Sequence, residues 1–387
     1  MFDAAKFIEA SLPKLRAQAG EHDALIALSG GVDSSVAAAL MNKAIGKHLK
    51  ALLLDTGFMR EGEPGQVKAM MKAAGITVEV RDVSGEFFAA LKGLSDAEEK
   101  RKAFRETFYN IFGRETKNFK CEYLVQGTIA PDWIETEGGI KSQHNILEQI
   151  GIDTKTKFGF RLIEPLAQLY KDQVRLLGKE LGLPDEVYSR QPFPGPGLMV
   201  RCIGEVREDT VAELRKSVAI VEKHVTNADA QQYFAAIFES KGKDAMNIAE
   251  QASHLFNDRC SAYLHEAKAT GVKGDLRFYG QLVGLKLGKR HPISELSKKQ
   301  LDIVIKNEVV CRVLVKILSQ HTSRGQKLPY SVAIRAIRTR DFMTATVSEI
   351  EWARLEAMAK EILAACPHVW RVYYDVTPKP PATVEFE

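Results

Sequence analysis

Between Leu25 and Leu40 the chain reads LIALSGGVDSSVAAAL, and its polar centre holds the residues best placed for chemistry. A strand-like apolar run ends in Ser29, Gly30 and Gly31, where the glycines allow a tight turn that exposes backbone N–H groups. A helix then begins around Val32, Asp33, Ser34 and Ser35. Its N-terminal dipole points at the same spot, and the two serine hydroxyls can add donors. Such a nest suits phosphate. The nucleotide-hydrolase pattern GxxxxGK(S/T) sets a lysine against a transferred γ-phosphate; here that lysine is absent and Asp33 stands in the loop. Ser-Gly-Gly alone also fits a capped helix after a strand, whereas the complete SGGVDSS at a strand-to-helix junction favours the phosphate reading.

Other polar residues are candidates for the same centre. Lys171 and Arg175 lie four apart, on one face of a helix, and suit a second grip on phosphates; a solvated basic face is the plainer alternative. Asp132, Glu135, Lys141, Ser142, His144 and Asn145 fall in a glycine-interrupted polar segment that cannot pack as core, which suggests a lid. His144 reads as a lid contact, a catalytic group or an ordinary structural histidine.

These residues need a scaffold, and composition permits one. The 387 residues are 45% hydrophobic and 27% charged, enough for two domains with real cores. The net charge of +4 is too weak to argue for nucleic acid. Five scattered cysteines without a CxxC pair point to a reducing compartment and no structural zinc. There is no long apolar run for a membrane span, and the amphipathic N-terminus lacks a signal-peptide pattern, so a cytoplasmic protein is expected.

Strand-like runs alternate with helical patterns up to FRLIEPL, which predicts an α/β fold with a doubly wound parallel sheet. QPFPGPGL (Gln191 to Leu198) can be neither helix nor central strand and marks a boundary, as a rigid linker or a substrate-shaping wall. The expected domains are 1–200 and 201–387, the second a smaller α+β module. Helices are expected over Asp209 to His224, Ala228 to Lys268, Ser297 to Leu318 and Ser348 to Cys366. VGLKL near Val283 and VAIRAI near Val332 look alike, but two short strands do not make a repeat.

SGGVDSS resembles the signature of the PP-loop ATP pyrophosphatases, which activate an acceptor by adenylylation and release pyrophosphate. Later blocks narrow the likeness. LLLDTGFMREGEP, LVQGTIAPDWIETEGGIKSQHN, LIEPLAQLYKDQVRLLGKELGLP, QPFPGPGLMVRCIGEV, GVKGDLRFY, RTRDFMTA and KPPATVEFE follow in the order found in GMP synthetases. The chain is similar to the ATP pyrophosphatase subunit of that family.

The resemblance implies ATP and XMP as substrates, with Mg²⁺ held through Asp33. It implies an ATP and pyrophosphate site of Ser29, Gly30, Gly31, Val32, Asp33, Ser34, Ser35, Asp55, Gly127, Lys171 and Arg175, with Asp33, Lys171 and His144 catalytic. The XMP contacts carried over are Lys379, Thr383, Glu385 and Arg277, the last alternatively a surface partner of Asp275. None of the cysteines sits in a glutaminase nucleophile turn, so the resemblance implies a separate glutamine amidotransferase subunit that supplies ammonia. A homodimer formed by the second domain is implied too, with neither nucleic acid nor membrane as partner.

Three departures bear on these expectations. KSQHNILEQI loses a histidine and a glycine pair of the family's lid, and Gln191 replaces a histidine before the proline-rich block. Extra sequence within about 226–328 reads as an insertion. The alternatives are a tRNA-modifying or other nucleotide-amidating PP-loop enzyme, and a regulatory relative that binds ATP without turnover.

Overall fold

The computed structural model describes residues 2–130, 154–188, 191, 193–273, 276–320, 328–339 and 343–387. Two compact units emerge. One comprises 1–90 and 101–195, the other 91–100 and 196–387. The divide thus falls inside QPFPGPGL, ahead of the 200/201 division, and Leu91–Lys100 groups with the second unit. A physical cause is Lys100, which is fully buried. Its ammonium donates to the carbonyls of Cys202 (2.8 Å) and Gly204 (2.7 Å) and pairs with Glu387.

The first unit runs α1 (Ala4–Ala19), β1 (Ala24–Leu28), α2 (Val32–Ile45), β2 (Leu49–Asp55), α3 (Glu63–Ala73), β3 (Val78–Asp82), α4 (Ser84–Leu91), α5 (Ala97–Asn118), β4 (Tyr123–Val125), α6 (Thr154–Phe158), β5 (Arg161–Ile163), α7 (Lys171–Glu180) and α8 (Asp185–Tyr188). Its strands lie in the order β3-β2-β1-β4-β5 and every pair is parallel. The chain winds outward from β1 in one direction and then restarts at β4 in the other. The crevice at the C-terminal ends of β1 and β4 is therefore the switch point where such sheets bind ligands. Leu25, Ile26, Leu124 and Val125 are buried because helices cover the sheet.

The second unit contains β6 (Cys202–Ile203), α9 (Glu208–His224), β7 (Gln232–Glu239), β8 (Gly242–Asp244), α10 (Met246–Phe256), β9 (Cys260–Lys273), β10 (Leu276–Leu287), α11 (Ile293–Lys306), β11 (Val310–Ser319), β12 (Tyr330–Arg338), β13 (Thr346–Val347), α12 (Trp352–Ala365) and β14 (Val369–Asp375). Sequence patterning makes it the smaller part, yet its mixed sheet has nine strands against five. Two expected helices need correction. Ala228 to Lys268 holds β7, β8 and most of β9 around the short α10, and Ser297 to Leu318 is a helix that gives way to β11. AYLHEAKA is rich in helix formers, but pairing along β10 overrides that weak preference. QYFAAIFE is apolar throughout, a pattern that does not distinguish buried strand from buried helix.

The sheet order β7-β12-β14-β11-β10-β9 reads alike from either side of the antiparallel β11–β14 junction. In one half β7 pairs antiparallel with β12, and β12 parallel with β14 across α12. In the other, β9 pairs antiparallel with β10, and β10 parallel with β11 across α11. A helix, α9 or α10, precedes each set. The stretch read as an insertion is thus largely a second copy of the αββαβ arrangement, nested between β7 and β12. The likeness of VGLKL and VAIRAI, too short to establish a repeat on sequence, marks the equivalent strands β10 and β12.

The final residues lie against this sheet. Phe386 packs with Phe234, Leu282 and Tyr373, and Thr270 N–H donates to the Phe386 carbonyl (2.7 Å). Arg312 and Arg335 both bond the Asp375 carboxylate, at 2.8 and 2.6 Å, with all three side chains shut off from water. Removing one member of a buried ion network strands the others, at a cost of about 3–5 kcal/mol. Asp375→Ala should lower the stability of this unit by roughly that amount. Urea unfolding followed at Trp352 and Trp370 in a Trp133→Phe background checks it; a loss below about 1 kcal/mol would show that the network is not needed.

Candidate active site

Strand β1 carries the chain straight into the loop. Gly30 has φ +75°, and a side chain there would press on Val67 and Glu63. Ser29 N–H donates to Ser34 Oγ (3.2 Å), and the two serine hydroxyls lie 3.1 Å apart. The Ser34 and Ser35 hydroxyls donate to the Gly31 carbonyl, at 3.2 and 2.9 Å. Both serines are buried, so their hydroxyls brace the turn; the expectation that they add free donors does not fit this geometry. The remaining donors are backbone N–H groups. Gly31 caps α2 without a side-chain bond, which leaves the first turn, from Val32 to Ser34, open to an anion.

Gly127 follows β4 and faces the same helix start. A Cβ at this position would lie 2.7 Å from the Ser34 backbone nitrogen and 2.8 Å from the Asp33 carbonyl carbon. Only glycine lets the β4 end approach so closely. Behind it, Gln126 N–H bonds the Ile163 carbonyl (3.0 Å), and the Thr128 hydroxyl donates to Glu164 (2.6 Å). These bonds anchor the crevice wall.

Lys171, the first residue of α7, reaches the loop. Its Nζ lies 2.5 Å from Asp33 Oδ2. Asp33 Oδ1 is buried and has no hydrogen-bond partner among the described residues. Arg175, one turn further along, is exposed, and no bond from it to the loop is seen. Asp55 ends β2, with Oδ1 accepting the Gly57 N–H (3.0 Å). The proposed lid residues Asp132, Glu135, Lys141, Ser142, His144 and Asn145 lie outside the described residues.

Residues not singled out on sequence also shape this unit. Glu63 is almost wholly buried beside Gly30; it accepts from the Arg60 N–H (3.0 Å) and guanidinium (3.2 Å). Arg60 in turn stacks on Phe193, 4.0 Å from the ring centre. The i,i+3 spacing of Arg60 and Glu63 was the available signal.

The other candidates belong to the second unit. Lys379 exchanges two backbone bonds of 2.9 Å with Ala345, which joins the end of DFMTA to KPPAT. Ala382 bridges to Gly271 of GVKGD. Three blocks distant in sequence therefore meet along the tail. Thr383 takes a bond from Arg312 (3.0 Å) and lies within bonding reach of the Thr270 and Glu385 carbonyls. Its hydroxyl is occupied internally, so this geometry makes it a brace and argues against the expected XMP contact. Glu385 receives two bonds of 3.0 Å from Arg201 and one of 2.7 Å from Gln232, yet keeps 18% of its side chain exposed. Arg277 lies 3.6 Å from Glu98, whose carboxylate also accepts from Tyr279 (3.0 Å).

Among the described residues no cluster of three His, Cys, Asp or Glu side chains could hold a metal. Magnesium does not require one, since a single carboxylate together with substrate phosphates is a usual donor set. The buried, unpartnered Asp33 Oδ1 fits that demand.

Two family models match the chain: "NAD synthase" over residues 4–198 and "GMP synthase C terminal domain" over residues 295–386. The chain is 44% identical to one of the two subunits of the glutamine-hydrolyzing GMP synthase of Sulfurisphaera tokodaii. It is 40% identical to the corresponding GMP synthase subunit of Methanocaldococcus jannaschii, and in each case all of both chains is covered. A solved NMN synthetase from Francisella tularensis is similar with a TM-score of 0.40 and 19% identity, over 56% of this chain and 86% of that one.

Gly127→Ala should force the wall and loop apart. We expect phosphate binding at the α2 N-terminus to weaken by about tenfold or more, with unfolding of the second unit unchanged. Calorimetric titration with pyrophosphate checks this, and unchanged affinity would show that the close approach does not shape the cradle.

Proposed function

The chain belongs to the GMP synthase family, among the members built from separate subunits, and from that premise we propose that it is the ATP pyrophosphatase component. In this reading the 2-oxygen of XMP attacks the α-phosphorus of ATP, and pyrophosphate leaves. Ammonia then adds at C2, and AMP departs with the former 2-oxygen, which yields GMP. The enzyme is a ligase that forms a C–N bond.

The observation that supports this most is the open N-terminus of α2 with Lys171 drawn to Asp33. Backbone N–H groups of Val32, Asp33 and Ser34 face the β- and γ-phosphates, where leaving-group charge develops. Lys171 adds a positive charge on the same side, and its bond to Asp33 holds it there. Asp33 would also hold Mg²⁺ through Oδ1; when bound, the ion neutralises phosphate oxygens. Asp55, at the end of β2, is assigned to the adenosine, and Arg175 to an outer phosphate contact.

Glu385 and Lys379 are the proposed acceptor contacts. A carboxylate has about four acceptor directions; Glu385 uses three within the fold, which leaves one for a purine N–H. Lys379 suits the 5′-phosphate of XMP. Arg277 remains a weaker candidate, since Glu98 already balances its charge. Thiolation chemistry is disfavoured, because burial raises the thiols of Cys121 and Cys202 to about 12 and those of Cys311 and Cys366 to about 11.

The proposal includes a separate glutaminase subunit as the ammonia source, as the relatives' names suggest, and a homodimer working in the cytoplasm. No helix among the described residues is long and apolar enough to cross a membrane.

Purified chain with ATP, Mg²⁺, XMP and ammonium should release AMP and pyrophosphate in an XMP-dependent manner. Glutamine should not replace ammonium until the partner is added. Absence of XMP-dependent AMP would overturn the acceptor, and glutamine use by the lone chain would overturn the separate subunit. Asp33→Asn and Lys171→Met should each lower kcat/KM for ATP by about 10²-fold or more, read in the same assay.

A further inference from the structure

The two halves of the nine-stranded sheet place charges at matching positions. In the half that carries the tail, Arg335 of β12 follows the pair Ile334–Tyr374 and so lies beside Asp375 of β14. Asp375 is opposite Leu314 of β11, and Arg312 lies two residues before Leu314. In the nested half, Lys286 of β10 follows the pair Leu285–Val315 and so lies beside Lys316 of β11. Lys316 is opposite Tyr373 of β14, and Arg371 lies two residues before Tyr373. Arg335, Asp375 and Arg312 therefore correspond to Lys286, Lys316 and Arg371, with the central acid replaced by a base.

The first set shows what this arrangement accommodates. Asp375 lies between the two arginines, and the carbonyls of Thr383, Val384 and Glu385 take their remaining donors. Arg312 stacks on Phe386 of the tail, 4.1 Å from the ring centre. The second set has an equivalent aromatic support: Arg371 lies 3.5 Å from the Trp370 ring centre and 4.5 Å from that of Tyr263. Gly284, between Tyr263 and Leu314 in register, adds no side chain to this face.

No carboxylate lies within ion-pair distance of Lys286, Lys316 or Arg371 among the described residues, and Arg371 makes one side-chain bond, to the Tyr373 hydroxyl (3.3 Å). Like charges on neighbouring strands are destabilising. Partial burial, and then the charges of Lys286 and Arg371, push the half-buried Lys316 ammonium below its usual range. Nearby, burial and Arg371 hold the His265 imidazole down to about 3, so it stays neutral and does not add to the charge. Lys286 is exposed, which leaves the cluster open to solvent.

We propose that Lys286, Lys316 and Arg371 form a second anion site that takes a phosphate group. One carboxylate suffices between two arginines, but three cations call for a multiply charged anion. The planar fork of Arg371 and the two point charges of the lysines suit phosphate oxygens. The phosphate is either free, as orthophosphate or pyrophosphate, or carried on a nucleotide.

A full-length chain with Trp133→Phe and Trp352→Phe leaves Trp370, beneath Arg371, as the only indole. Titration with orthophosphate, pyrophosphate and AMP should change its emission saturably. Tighter pyrophosphate binding would identify a free phosphate species, and tighter AMP binding a nucleotide. Lys316→Asp restores the acid of the matching site; it should weaken the response by at least about tenfold and raise Tm. Lys286→Met, which removes a cation without adding an acid, should weaken it as well and serves if Lys316→Asp fails to fold. A Trp370 signal unmoved by all three anions, or the same titration curve in a folded variant, would overturn the site.

Discussion

Asp375 lies between Arg312 and Arg335, with all three removed from water, and this constraint organises the second unit. Buried charge is tolerated only when paired and fully hydrogen-bonded. One carboxylate cannot satisfy two guanidinium groups, so the tail contributes its carbonyls at Thr383, Val384 and Glu385. Burial still pushes the Arg335 guanidinium down, to about 10, although Asp375 opposes the shift. The tail in turn lies beside Gly271 and Ala345, so the proposed acceptor residues are held by long-range bonds and not by local helix or strand. Glu385 and Glu387 are further fixed by Arg201 and Lys100.

The first unit meets a different requirement. Its loop must present backbone donors without interference from side chains. Gly30 turns the chain where Val67 and Glu63 leave little space, and Gly127 lets β4 close on the start of α2. The missing lysine of a nucleotide hydrolase then has a physical reading. A site that grips β- and γ-phosphates as a leaving group needs fixed dipoles at the departing oxygens, and the charge of Lys171 is brought in from α7.

The loop was legible because glycine spacing, an apolar strand and a polar helix start all lie within a few neighbouring residues. The parallel order of the first sheet followed from strand and helix alternation in the same way. The second unit was harder to read. AYLHEAKA follows helical preference until β10 pairs with it, and the nested copy shares so little sequence that VGLKL and VAIRAI were its only trace. Thr383 had the right chemistry for a ligand contact, but its partner Arg312 is remote in sequence and engages it internally. Lys100 and Glu387 lie at opposite ends of the resemblance, and nothing local signals their pairing. Arg60 and Glu63 were the exception, a short-range pair that spacing could have revealed.

The account stands or falls on where AMP is transferred. XMP labelled with ¹⁸O at its 2-oxygen, incubated with ATP, Mg²⁺, ammonium and the purified chain, tests this directly. Adenylylation at that oxygen predicts one ¹⁸O atom in the phosphate of each AMP released, seen by mass spectrometry, with unlabelled pyrophosphate and GMP. Unlabelled AMP, or ADP and orthophosphate in its place, would contradict it.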